Sequence, residues 1–291
     1  MLAQSQGSVQ LKENIFYSTG CLKGSLESRL KQWSALNKKN IEISFPFYQA
    51  DLVDYLLLQK QTKNIRILIH NYISFDENEF VLNLGSLNDE IYFKSLECSK
   101  NAIKLTSALG EHIYSVHSPF LFDPDISKLG FTFIKERLFS KKDVLDRFSR
   151  SIYELSRFAM EFDVQLVFEN NVTTKANYNA FVNNPFIFSS LEDLDDVLPI
   201  FDDHNVGILL DLGHLRVSAE TFQFDRQDFI KQCGQRVKAL HLSTNNSYSD
   251  QNLMPKFLEP YEEDLLQRVI FASFEVTMAS YQKNGEVCLS T

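Results

Sequence analysis

Four residues able to bind a cation recur at one kind of place along the chain. Glu169 closes the run VQLVFE, Asp211 closes VGILLD, His241 closes VKALH, and Glu275 follows ASF in ASFEVT. Each comes after apolar residues that carry it toward a protein interior, where an unpaired charge is costly. Clustered carboxylates repel one another and take up protons. A divalent cation removes that conflict. Three carboxylates and one imidazole form a natural cage for one Mn2+, Mg2+, Co2+ or Zn2+ ion.

Two further histidines share the placement. His70 ends RILIH and His117 ends IYSVH, while His214 follows Asp211 by three residues in DLGH. Taken singly, each reads as an ordinary hydrogen-bonded histidine, and only the repeated position points to chemistry. His112 and His204 stand at the entrances of apolar runs and belong to the opposite end. Lys175 reads as a solvated lysine.

Such residues must be brought together by elements of the right kind. Short apolar runs at 14–18, 41–45, 65–70, 112–117, 164–169, 206–211, 237–242 and 271–276 are predicted strands, and several are apolar throughout, as suits strands covered on both faces. Amphipathic stretches at 25–36, 87–109, 143–162, 191–201 and 228–233 are predicted helices. The alternation predicts parallel strands with crossover helices, an α/β fold of the (β/α)8 TIM barrel type. In such a barrel, strand C-termini converge on one face, where active sites sit. Long loops at 71–86 and 118–142 are expected on that rim. Few residues follow Val276, so the last outer helix is expected to be short or missing. The gap would expose a surface that a second copy could cover.

Composition agrees. The 291 residues fit one barrel of about 250 residues, read as a single domain over 1–291. A net charge of -9 disfavours a nucleic-acid footprint but leaves room for a small anionic substrate. Cys21, Cys98, Cys233 and Cys288 form no CxxC pair and read as reduced thiols of a cytoplasmic protein. The N-terminus lacks an apolar signal region, and no apolar run approaches the roughly 20 residues that span a bilayer. Of the 25 phenylalanines, Phe120, Phe122, Phe131, Phe181, Phe186 and Phe188 fall in rim loops; packing is the default reading, an aromatic wall around a sugar the functional one.

The series FEN, DLGH, HLS and FEV on successive strands resembles the xylose isomerase-like barrel superfamily, from about Ile15 to Val276. That group includes sugar isomerases and epimerases, inosose and dehydroshikimate dehydratases, and apurinic endonucleases of type IV. In the isomerase branch the resemblance implies one metal held by Glu169, Asp211, His241 and Glu275. It also implies that Glu169 and Glu275 exchange the substrate proton and that His214 meets substrate. The endonuclease branch adds ligands. HNYISFDENEFVLNLGS, which begins at His70, is similar to that family's HAPYLINLAS, and LGEHIYSVHSP resembles its next strand, which would make His70 and His117 ligands. Its Asp-x-His pair appears here as Asp250-Gln251-Asn252, with Asn252 in place of the histidine. The loop at 71–86 carries Asp76, Glu77 and Glu79 and no Lys or Arg, so a DNA backbone would meet little attraction there.

The expectation is a sugar or sugar-phosphate isomerase or epimerase that uses one divalent metal and an enediolate intermediate. Glu169 and Glu275 are the expected catalytic pair. His70, His117, His214, Asp250 and Asn252 are expected substrate contacts. The alternatives are a metal-dependent phosphodiesterase of the endonuclease kind, a dehydratase on the same site, and a non-catalytic barrel that binds a sugar or a protein.

Overall fold

The computed structural model describes residues 13–45, 48–73, 80–126 and 137–284. Eight parallel strands form a closed barrel in chain order: β1 Ile15–Ser18, β2 Asn40–Phe45, β3 Arg66–Ile73, β4 Ile113–His117, β5 Gln165–Glu169, β6 Gly207–Asp211, β7 Val237–Leu242 and β8 Phe271–Phe274. Closure runs through β1 and β8, with Phe16 beside Ser273 and Tyr17 beside Phe274. This is the (β/α)8 architecture that the alternation of runs predicts.

The helices are α1 Leu26–Ser34, α2 Leu52–Lys63, α3 Asp89–Ala108, α4 Lys141–Glu161, α5 Lys175–Phe181, α6 Leu191–His204, α7 Leu212–Phe222, α8 Arg226–Cys233, α9 Pro260–Leu266 and α10 Met278–Asn284. Several begin where a small polar side chain caps the first turn. Ser25 accepts from the Ser28 N–H, Asn88 from Glu90, and Ser140 from Asp143. Ser190 and Asp193 form a reciprocal capping box. Helix α4 therefore starts before residue 143, and α8 starts at Arg226 because Asp225 caps it. The stretch at 191–201 continues through Pro199 to His204 and stops at Asn205 in the left-handed conformation. The final helix, α10, is short.

Helices α2, α5, α7 and α9 lie outside the sequence-predicted set. Helix α2 buries only Leu52 and Leu56, so its sequence shows little contrast between faces. Helix α7 follows β6 with no intervening loop residue, so no break in the text marks its start. No helix among the described residues is long and apolar enough to cross a membrane. Asp76, Glu77, Glu79, Phe131 and Cys288 lie outside the described residues.

The main core lies between barrel and helices. Phe148 of α4 is fully buried, with its ring centroid 5.0 Å from that of Phe168 on β5 in an edge-to-face contact. It also meets Phe201 of α6 at 6.3 Å. Phe148→Ala is expected to cost about 3–5 kcal/mol, because the rigid neighbours cannot collapse into the hole. Urea denaturation of the two proteins measures it; a loss below about 1 kcal/mol would mean a core that repacks freely. The rim phenylalanines pack on one another: Phe122, Phe181 and Phe186 form a buried cluster with Phe120 against it, and Phe188 joins the main core.

Candidate metal centre

Strand geometry sends alternate side chains inward, and the registers stagger successive strands so that alternate strands share a level. Following the registers around the barrel gives a set of levels. A low level is apolar: Phe16, Leu68, Val167 and Ala239, all buried, with Ile113 and Phe271 of the same cluster below it. Above it lie Glu42, Ser115, Leu209 and Ser273, then Ser18, His70, Glu169 and His241, all buried as well. His117, Asp211 and Glu275 stand higher, at the mouth. The barrel interior thus changes from hydrocarbon to titratable groups within one or two residues of each strand.

Glu169, Asp211, His241 and Glu275 each offer one ligand atom, and the four atoms lie within 4.8 Å of one another. His70, His117 and Glu169 form a second such group, sharing Glu169, and Glu42, His70 and His241 form a third. Glu169 is the hub. Its Oε2 lies 3.1 Å from His70 Nε2 and 3.4 Å from His117 Nε2. Its Oε1 lies 3.2 Å from His241 Nδ1 and 3.4 Å from His214 Nδ1.

Local structure fixes these groups tightly. Asn170 pins the ends of β5 and β6 together: its Oδ1 accepts from the Asp211 N–H at 2.7 Å, and its Nδ2 donates to Asp211 O at 3.1 Å. Its own carbonyl lies 2.9 Å from His214 Nδ1, so that nitrogen carries the proton and donates. Nε2 of His214 then faces Asp250 Oδ2 at 3.4 Å. Asp211 also caps α7, its Oδ1 accepting from the His214 N–H at 2.6 Å. Its Oδ2 is buried with no hydrogen-bond partner. Glycine makes room in two places. A Cβ on Gly20 would lie 2.7 Å from Glu275 Oε1, and one on Gly213 would lie 2.1 Å from Ser243 Oγ. The β1–α1 loop that carries Gly20 is held by buried Arg29, which donates to Thr19 O at 2.9 Å and Gly24 O at 3.1 Å.

The electrostatics follow from burial set against neighbours. Burial acts to raise the Glu169 carboxyl, but the surrounding imidazoles of His117, His241 and His70 hold it well below the usual carboxylate range. Burial pushes Glu275 up, and the charges of Glu169 and Asp211 add to that. Burial opposes protonation of His241, yet Glu42, Glu169 and Glu275 carry it well above its ordinary value. His214 is raised in the same sense by Asp211 and Asp250 against burial. His117 goes the other way, lowered to about 4 by burial, which outweighs Glu169.

The structure therefore brings together the seven strand-end and near-strand residues singled out from the sequence, and places Asp250 beside His214. Asn252 Nδ2 lies 3.4 Å from Asp250 Oδ2, with its own Oδ1 buried and unpartnered. Lys175 is exposed at the start of α5. His112 and His204 line a cavity of about 580 Å³ at the strand entrances, with Arg66 and Glu111. Two residues near the centre were not assigned to it from the sequence. Glu42 is fully buried in mid-strand, 3.0 Å from His241 Nε2. The mark of it was a carboxylate inside the apolar run Ile41-Glu42-Ile43. Cys21 sits near the mouth, where burial and then the charges of Glu275, Asp250 and Asp211 raise its thiol well above the ordinary range, keeping it a neutral thiol.

The donor set suits a divalent cation. It combines carboxylate oxygens with imidazole nitrogens, and the buried Asp211 Oδ2 and His117 Nδ1 lack hydrogen-bond partners. Buried polar atoms are rarely left so.

Comparison with known proteins places the fold. The model of the xylose isomerase-like TIM barrel family matches residues 33–262. A curated relative, the uncharacterized protein MJ1311 of Methanocaldococcus jannaschii, is 21% identical over 201 residues, or 69% of this chain. The matched part spans 59% of that protein's length. Among solved structures, a D-tagatose 3-epimerase-like protein superposes with a TM-score of 0.66 at 18% identity, over 93% of this chain and 94% of the other. The D-psicose 3-epimerase of Clostridium cellulolyticum, solved with D-tagatose, gives 0.60 at 16% identity over 94% and 90%. A Thermus thermophilus protein, TTHB071, soaked with ZnCl2, gives 0.58 at 15% identity over 94% and 97%. At these identities the likeness establishes the fold.

Proposed function

The chain belongs to the xylose isomerase-like TIM barrel family, and from that premise we propose that it is a divalent-metal-dependent isomerase or epimerase of a sugar or sugar phosphate. The observation that carries the reading is the group of Glu169, Asp211, His241 and Glu275 at the C-terminal end of the barrel, with ligand atoms within 4.8 Å of one another. The structural neighbours named as sugar 3-epimerases support it.

In this reading those four residues hold one Mn2+, Mg2+, Co2+ or Zn2+ ion. Bound there, the cation supplies positive charge to sugar oxygens on which negative charge develops as a proton leaves the adjacent carbon. The remaining work falls to side chains. Glu275 is the proton acceptor: it stands at the mouth, and its raised affinity for protons makes it the stronger base. In an isomerisation the same carboxylate returns the proton to the neighbouring carbon; in an epimerisation Glu169 delivers to the other face a proton taken from the His70 imidazole 3.1 Å away, and Glu275 passes its own proton to solvent. His117, neutral down to about pH 4, accepts from a sugar hydroxyl. His214, with Nδ1 committed to the Asn170 carbonyl, presents Nε2 to a second hydroxyl alongside Asp250.

The test is proton exchange in D2O. The protein is loaded with each of the four metals and mixed with a panel of ketoses and ketose phosphates, and NMR follows loss of the hydrogen next to the carbonyl. Exchange is expected with at least one sugar, and Glu275→Gln is expected to slow it by roughly 10²–10⁴-fold. Full exchange in the Gln variant, or none in the wild type with any sugar, defeats the proposal.

A second reading, a metal-dependent phosphodiesterase, is favoured by one observation: His70, His117 and Glu169 form a further ligand group that shares Glu169 with the first. Three zinc ions per chain and cleavage of an abasic-site duplex would favour it. Asn252, an amide where an imidazole would complete a third site, favours the sugar chemistry.

A further inference from the structure

From the geometry we infer that Glu42 is a positioning residue: through His241 it decides which imidazole nitrogen faces the proposed metal centre. The inference rests on that centre. Nδ1 of His241 lies 3.0 Å from Glu275 Oε2, 3.2 Å from Glu169 Oε1 and 3.5 Å from Asp211 Oδ2. Nε2, on the far side of the ring, lies 3.0 and 3.2 Å from the two oxygens of Glu42. Both side chains are fully buried.

A neutral imidazole carries one proton, on one nitrogen only. Glu42 needs that proton on Nε2. Its carboxylate lies one level below His241, between the apolar floor of the barrel and the titratable groups above. A buried carboxylate must have a donor or a cation beside it. His241 Nε2–H meets that need, and the lone pair is then left on Nδ1, aimed at the three carboxylates of the centre. With the tautomer reversed, Glu42 would face a lone pair and Nδ1–H would point at the cation, so both contacts would be repulsive. A ligand histidine backed by a carboxylate is also held in ring orientation and made more basic. Glu42 touches neither the cation nor the sugar in this arrangement; its effect reaches them through the ring.

Metal affinity and ring tautomer test this without reference to turnover. Titration of metal-free protein with Mn2+ is expected to show a dissociation constant 10–100-fold weaker for Glu42→Gln, with the number of ions per chain unchanged. Glu42→Asp, which keeps the charge, is expected to recover part of the loss. In the Zn2+-loaded wild type, nitrogen NMR of 15N-histidine is expected to show His241 with a proton on Nε2 and metal on Nδ1. That measurement needs no variant, so a misfolded Glu42→Gln leaves the inference open to refutation. Binding by Glu42→Gln within twofold of wild type overturns it, as does a metal-bearing Nε2. The loss of one ion per chain in the variant also overturns it, since Glu42 would then be a ligand, with His70, of a separate cation. A wild type that binds no divalent ion removes the metal centre itself; a wild type that binds, with a variant that binds equally well, removes only the role given to Glu42.

Discussion

Glu169→Ala is expected to leave the protein without bound divalent metal after dialysis and to reduce proton exchange by roughly 10⁴-fold, the upper end for loss of one general acid–base group. Glu169 is engaged from several sides. Two of the three ligand groups use it, and four imidazoles lie within 3.4 Å of its oxygens. Removing it subtracts a donor from the metal cage and leaves His70, His117 and His241 facing one another across a vacated space, with ring centroids of His70 and His241 only 4.9 Å apart. Elemental analysis of the purified variant and the D2O exchange assay measure the two losses. An alanine variant that keeps one ion at wild-type affinity would show that Glu169 only balances the charge of the histidines.

The second large effect is one of pH. Metal and proton compete for His241, because a protonated Nδ1 cannot bind a cation. Without metal, neighbouring carboxylates hold His241 well above its ordinary 6.5. Where it is protonated, each unit of rising pH is expected to tighten metal binding about tenfold for each proton displaced. Stability of the metal-free protein should run the opposite way. His70, His214 and His241 all bind protons more tightly folded than unfolded. Their contribution is complete below about 6.5 and is lost as pH rises through their folded values. His117 and Glu169, both lowered, act on the acid side: His117 costs stability as pH falls from 6.5 toward about 4, and Glu169 as pH falls through its own folded value. Above 6.5 the three raised imidazoles dominate. Melting temperatures of metal-free protein should therefore fall as pH rises above about 6.5, while those of loaded protein should not. Calorimetric titration in two buffers of different ionisation heat counts the protons released. No released protons, or a metal-free protein that grows more stable over that range, would remove His241 from the cage.

The barrel was legible because its strands are covered on both faces and stand out as apolar runs, several of which lead into a residue that does not belong in hydrocarbon. The same rule found Glu169 and Asp211 at their strand ends, His241 one residue before the end of β7, and Glu275 one residue beyond β8. It passed over Glu42, which lies inside β2, because the rule looked only at strand ends. Stagger was the missing quantity: successive strands are offset, so mid-strand Glu42 of β2 lies one level from His241 of β7, and only the registers reveal it. Helix α7 was hidden for a related reason. Asp211 ends a strand and starts a helix at once, and the text DLGH shows the chemistry of the junction without the turn of chain that follows.

That junction leaves position 211 little freedom to vary. One oxygen of Asp211 is committed to the backbone of α7 and the other to the proposed centre. Asparagine would preserve the cap and forfeit the charge. Glutamate would preserve the charge, but its extra methylene carries the oxygens beyond reach of the His214 amide. A lineage that changed its metal, or gave it up, could alter Glu275 or Asp250 one step at a time, but at Asp211 it would have to rebuild the start of a helix in the same stroke.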